Sequence, residues 1–116
     1  MSIVWALRLA AQAELDFSEI VAWTAENFGE IQADTYAQTL TLAIEALYDG
    51  PELLGAKVRD DVEPGIRTLH VARHGRSGRH FVMFREAQNQ HIDVLRLLHD
   101  SMDLARHIPA KNDRSH

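Results

Sequence analysis

The spacing of apolar residues changes period along the chain, and each change marks an element. A continuous apolar run at 3–7 (Ile-Val-Trp-Ala-Leu) joins a β-branched pair to an aromatic and predicts a short first strand. From about residue 10 the period becomes helical. Phe17, Ile20, Val21, Thr24 and Phe28 recur at i, i+3, i+4, i+7 and i+11, one face of a helix. Asn27 and Gly29 end it. A second helix over about 30–48 carries the stripe Ala33, Ala37, Leu40, Ile44 and Leu47 and stops at Gly50-Pro51. So short a break between two helices predicts an antiparallel helical hairpin.

Residues 50–65, with Gly50, Pro51, Gly55, Pro64 and Gly65, read as an extended loop. Three strand-like segments follow at 66–72, 79–85 and 91–98, joined by Arg-His-Gly-Arg-Ser-Gly (73–78) and Ala-Gln-Asn-Gln (87–90). Connections this short predict an antiparallel meander. A helical turn at 102–107 and a polar tail at 109–116 complete the reading, with one domain over 1–108. The fold class is α+β in the order β-α-α-β-β-β. The strands do not alternate strictly, which is compatible with partial cover on both faces: the helical hairpin lies on one, and the other is left open or covered by the C-terminal segment.

Composition narrows the function classes. At 116 residues, 46% apolar and 25% charged, the chain has the make-up of one ordinary folded domain. Without cysteine, disulfides, thiolate catalysis and Cys-based metal sites are excluded. No apolar run reaches the ~20 residues of a membrane span. Ala11-Gln12-Ala13 imitates a signal-cleavage site, but no basic residue precedes the apolar run and Arg8 cuts it short, so a cytoplasmic protein is expected. The net charge of −5 hides two halves. Residues 1–56 hold one base against nine acids, net −8, whereas 57–116 hold eleven bases against eight acids, net +3. That excess is too small for tight, sequence-specific nucleic-acid binding.

Several residues invite chemistry. His70, His80 and His91 fall on three successive predicted strands, but no i,i+4 His pair or H-E-x-x-H accompanies them, and they read as ordinary strand histidines with no metal and no cofactor. His99 and Asp103 stand four apart, a spacing that pairs an imidazole with a carboxylate at a helix start, either as a general base or as a local structural bond. Arg73, Arg76 and Arg79 surround Gly75 and Gly78 in a basic hairpin tip, a contact surface for DNA, RNA or an acidic protein, or else a solvated turn. Trp5 and Trp23 read as core or edge-packing residues.

Four segments carry a family resemblance: the strand running into Leu-Ala-Ala-Gln-Ala-Glu-Leu-Asp (9–16), the helix end Leu-Tyr-Asp-Gly-Pro (47–51), Gly-Ile-Arg (65–67), and the stretch 95–108, an apolar strand followed by His, Asp and Arg. Together with the element order they resemble the RelE/ParE toxin superfamily, and its ParE branch most. The resemblance implies a toxin of a type II toxin–antitoxin module, of the plasmid-stabilising and growth-inhibiting kind. It further implies neutralisation by a cognate ParD-like antitoxin in a hetero-oligomer, and inhibition of DNA gyrase. RelE-like relatives instead cleave ribosome-bound mRNA, which needs side chains that move protons and stabilise a pentavalent phosphate. Here Arg67, Arg96 and His99 are the candidates for such chemistry. They form an incomplete set, because Tyr36 and Tyr48 fall on the second helix and Lys57 and Lys111 off the predicted sheet. The expectation is therefore action by binding, with no catalytic residues. Arg67, Arg73, Arg76, Arg96, His99, Asp103 and Arg106 are the candidate target or antitoxin contacts. An mRNA interferase and an inactive relative serving as an interaction module are the alternatives.

Overall fold

A computed structural model describes residues 4–102 and Leu104. The chain runs β1 (Ala6–Leu9), α1 (Ala11–Phe28), α2 (Glu30–Ala46), a 3-10 turn (Leu47–Asp49), β2 (Lys57–Val58), β3 (Ile66–His70), β4 (His80–Ala87) and β5 (His91–His99). The five strands form one sheet in the order β1-β5-β4-β3-β2. β1 runs parallel to β5, and every other neighbour is antiparallel.

A single residue makes the helical hairpin. Gly29 sits at φ +92°, a conformation in which L side chains are rare. Its amide donates to the carbonyl of Ala25, and its own carbonyl accepts from Ala33, so it closes α1 and opens α2. The second stripe is buried as its period demands: Ala33 is buried, and Leu40, Ile44 and Leu47 join one core cluster with Leu69, Val82, Phe84, Ile92 and Val94 of the sheet. On the first stripe Phe17, Ile20 and Val21 pack against the same core and Thr24 is buried. Phe28 departs from the stripe: it is 62% exposed.

Alternation along the strands sends Ile66, Phe81, Met83, Leu95 and Leu98 to the opposite face, where Val62 and Leu104 pack on them. Both faces of the sheet thus carry a core cluster, as the irregular strand patterns allowed. Met83 pairs with Arg96 and Phe84 with Val94, which leaves Leu95 as the extra residue of a bulge.

Several boundaries differ from the sequence reading, among them β3, which ends at His70, two residues short of the predicted 72. β1 begins at Ala6 and continues to Leu9, because Ala6–Leu9 align with His91–Val94 of β5 and long-range pairing fixes the register. α2 gives way at Leu47 to a 3-10 turn, ahead of the predicted end at residue 48. The predicted loop contains β2, two residues paired with Arg67 and Thr68. β4 extends through Ala87, two residues beyond the predicted end. Beyond Met102 the predicted helical turn lies outside the described residues, apart from Leu104.

Candidate functional site: a groove between the helical hairpin and the β3–β4 arm

The C-terminal half of α1, one face of α2, the arm connecting β3 to β4 and the end of β5 enclose an open groove of about 1390 Å³. Small-molecule sites span roughly 300–1,000 Å³, so this space suits a polypeptide segment better. One wall is aromatic. Trp23, 57% exposed, and Phe28 meet edge to face with ring centroids 5.7 Å apart. The opposite wall is the arm, from Gly75 to Arg79.

The floor is polar. Tyr36 of α2 places its hydroxyl 2.7 Å from Nδ1 of His80, and the Arg79 backbone amide donates to the same oxygen at 3.1 Å. The His99 ring stacks edge-on against His80 at 5.3 Å. Asp100 collects the neighbouring donors: Arg79 through Nε and Nη2, and His70 through Nε2 at 3.0 Å. The Ala72 amide donates to His70 Nδ1, so the ring proton lies on Nε2 and points at Asp100. The Arg79 hydrogen bonds, then that of His70, hold the Asp100 carboxyl well below the ordinary carboxylate range. Burial, then the adjacent His99, pushes His80 down to about 4, so its ring is neutral at pH 7. Burial pushes the Tyr36 hydroxyl up, and it stays protonated.

The base of the groove is clamped by a buried ion pair. Arg96 donates through Nε and Nη2 to the two oxygens of Asp16 at 2.8 and 3.0 Å, and the Leu97 amide donates to Oδ2 at 2.9 Å. β1 ends opposite Val94, so the Asp16 carboxylate takes the amide that a longer β1 would have paired.

The structure distributes the sequence candidates unevenly. Arg76 lines the groove and donates to Thr39 Oγ1, Gln38 Oε1 and the Thr35 carbonyl, all neutral acceptors. Arg73, nearby in the arm, donates to the Leu54 carbonyl. Arg67 is turned to the loop after α2, toward the Pro51 carbonyl and Glu52. Arg67, Arg96 and His99 are therefore held by three different parts of the fold. His99 Nδ1 engages Ser101, while Asp103 and Arg106 lie outside the described residues. His91 pairs with Ala87 and His80 with His99, which puts those histidines at opposite ends of β4 and β5. Among the described residues no three His, Asp or Glu side chains group as metal ligands.

Tyr36, His80, Arg79 and Asp100 were not singled out as one cluster from sequence. Tyr36 could have been found: three after Ala33 and four before Leu40, it shares the buried stripe of α2.

Known proteins share this architecture. The family model for "ParE toxin of type II toxin-antitoxin system, parDE" matches residues 7–104. The chain belongs to the ParE toxin family. Toxin ParE1 of Mycobacterium tuberculosis is 33% identical over 108 residues, covering 93% of this chain and 100% of the relative. Toxin ParE1 of Caulobacter vibrioides is 27% identical over 101 residues, covering 87% and 95%. In fold, a chain of the chromosomal ParDE system from P. aeruginosa matches with a TM-score of 0.70 at 20% identity, over 84% of this chain and 98% of that one. A chain of the RelBE2 toxin–antitoxin complex from Mycobacterium tuberculosis matches with a TM-score of 0.58 at 14% identity, over 84% and 99%. The α+β fold class and the ParE branch both stand, with β2 added to the predicted β-α-α-β-β-β order. Among the described residues of this ParE-family toxin, no helix is long and apolar enough to cross a membrane.

Proposed function

We propose that this ParE-family toxin is held inactive by a cognate ParD-like antitoxin and, once released in the cytoplasm, inhibits DNA gyrase by binding it. The observation that carries action by binding is the engagement of Arg96. A phosphodiester-cleaving route through Arg96 needs its guanidinium facing a phosphate, yet its Nε and Nη2 are engaged by Asp16 inside the fold. The similar solved structures come from toxin–antitoxin systems, which supports an antitoxin as partner.

The groove is the proposed antitoxin seat. Its aromatic wall accepts apolar side chains, and Arg76, hydrogen-bonded to neutral acceptors, offers a charge for an acidic residue to meet. The reading predicts an antitoxin segment in which apolar positions alternate with Asp or Glu.

The purified chain is to be tested for block of gyrase supercoiling, with antitoxin added in a second arm. Expected is inhibition at near-stoichiometric toxin, reversed by antitoxin. Intact supercoiling together with multiple-turnover cleavage of mRNA would overturn the reading in favour of an interferase.

A further inference from the structure

We propose that Tyr36 and His80 form a proton-sensitive latch, which seats the base of the β3–β4 arm on α2 and lets it go when His80 takes up a second proton. The hydrogen bonds set the polarity of the catch. The Tyr36 oxygen accepts the Arg79 amide, and in the proposed latch its own proton goes to Nδ1 of His80, the bare nitrogen of a ring protonated on Nε2. Protonation at Nδ1 turns that acceptor into a donor. Two N–H groups then point at one hydroxyl oxygen, and the hydroxyl proton loses its partner.

The surroundings do not welcome the new charge. His99 stacks on the ring from β5, and His70 lies nearby on β3. Of the two carboxylates close enough to favour an imidazolium, Asp100 is engaged by Arg79 and His70, and Asp16 of α1 by Arg96. Release is therefore favoured over accommodation.

A second, steric observation shows how closely the arm is seated. A Cβ on Gly78 would stand 2.8 Å from the Tyr36 hydroxyl oxygen and 2.6 Å from Cγ2 of Val71. The backbone here touches Tyr36 directly, so loss of the catch frees the peptide between Gly78 and Arg79, while the Arg79 and His80 carbonyls stay bonded to the Asp100 and Val71 amides. Arg76, tied to Thr39 and Gln38 by bonds that do not titrate with His80, keeps the tip of the arm tethered. The movement is thus confined to the base, at the 78–79 peptide that carries the Arg79 amide. Tyr36, Gly78 and His80 line the groove, so unlatching remodels its floor. The latch acts in the chain alone and does not depend on what fills the groove.

Amide hydrogen exchange on the free protein, corrected for intrinsic rates, tests this between pH 7.5 and 4. The Arg79 amide is the reporter, and central β4–β5 amides are the reference. Exchange at Arg79 is expected to rise about tenfold per pH unit below 6.5, the slope of one proton, while the reference amides stay protected. His80→Asn keeps an acceptor at the Nδ1 position and should abolish the slope; Tyr36→Phe should leave the amide fast at every pH. Imidazole nitrogen shifts of the unmodified protein should place the His80 proton on Nε2 at pH 7. A slope that survives His80→Asn, opening that coincides with unfolding of the whole sheet, or a proton on Nδ1 at pH 7 would each overturn the proposal.

Discussion

Asp16 and Arg96, eighty residues apart in the chain, meet in a two-pronged ion pair that joins the first turns of α1 to β5. Their side chains are 7% and 17% exposed, so the pair is largely shielded from water, and the carboxylate also pairs the Leu97 amide. Removing one partner strands the other charge and an unpaired amide. Asp16→Ala is expected to lower the unfolding free energy by about 3–5 kcal/mol, read as a shift of the urea midpoint. A loss below ~1 kcal/mol would show that the pair is solvated and does not clamp the fold.

Acid should weaken the fold in two stages. His80 has a folded pKa near 4 against an ordinary 6.5, so its contribution is fully present above 6.5 and is lost as pH falls toward 4. Asp100 is depressed below its ordinary 3.8, so its contribution is present above that value and is lost only at lower pH. Thermal melting between pH 8 and 2 should show the first decline vanish in His80→Asn. Arg79→Ala, which removes the largest cause of the Asp100 shift, should flatten the second.

Gly78→Ala forces the arm away from Tyr36 and Val71, since two contacts under 3.0 Å cannot both relax cheaply. The expected cost is about 1–3 kcal/mol of stability, as for other overpacked sites, measured by chemical denaturation. An unchanged midpoint would mean that the arm does not lie on α2 in solution.

Trp23→Ala separates binding from folding, and Arg76→Glu tests the charge of the groove at the cost of the bonds to Thr39 and Gln38. Trp23 is more than half exposed, so its loss should change stability by no more than about 0.5 kcal/mol. Antitoxin affinity should nonetheless fall at least tenfold for each variant, about 1.4 kcal/mol, in a titration of purified components. Full affinity in both would remove the groove as the antitoxin seat.

What the sequence made legible follows from the range of the forces involved. Helical periodicity is local, and the stripe from Ala33 to Leu47 predicted the buried face of α2 almost residue by residue. The same logic failed at Phe28, because periodicity gives the direction of a face but not how far the sheet beneath it reaches. β2 was invisible: two residues carry no alternation, and their pairing with Arg67 and Thr68 is a tertiary fact. The groove was half legible. The arginines of the arm stood out by composition, whereas Tyr36 and His80, 44 positions apart, are joined only by the packing of the arm on α2.

The parallel pairing of β1 with β5 has a consequence for biosynthesis. Among the described residues the first strand is hydrogen-bonded to the last, and Asp16 likewise waits for Arg96. A nascent chain still missing residues 91–99 holds its helical hairpin over an incomplete sheet, without the strand that both β1 and β4 need. Synthesis must therefore pass residue 99 before the five strands can close into one sheet and the Asp16 carboxylate can find its guanidinium.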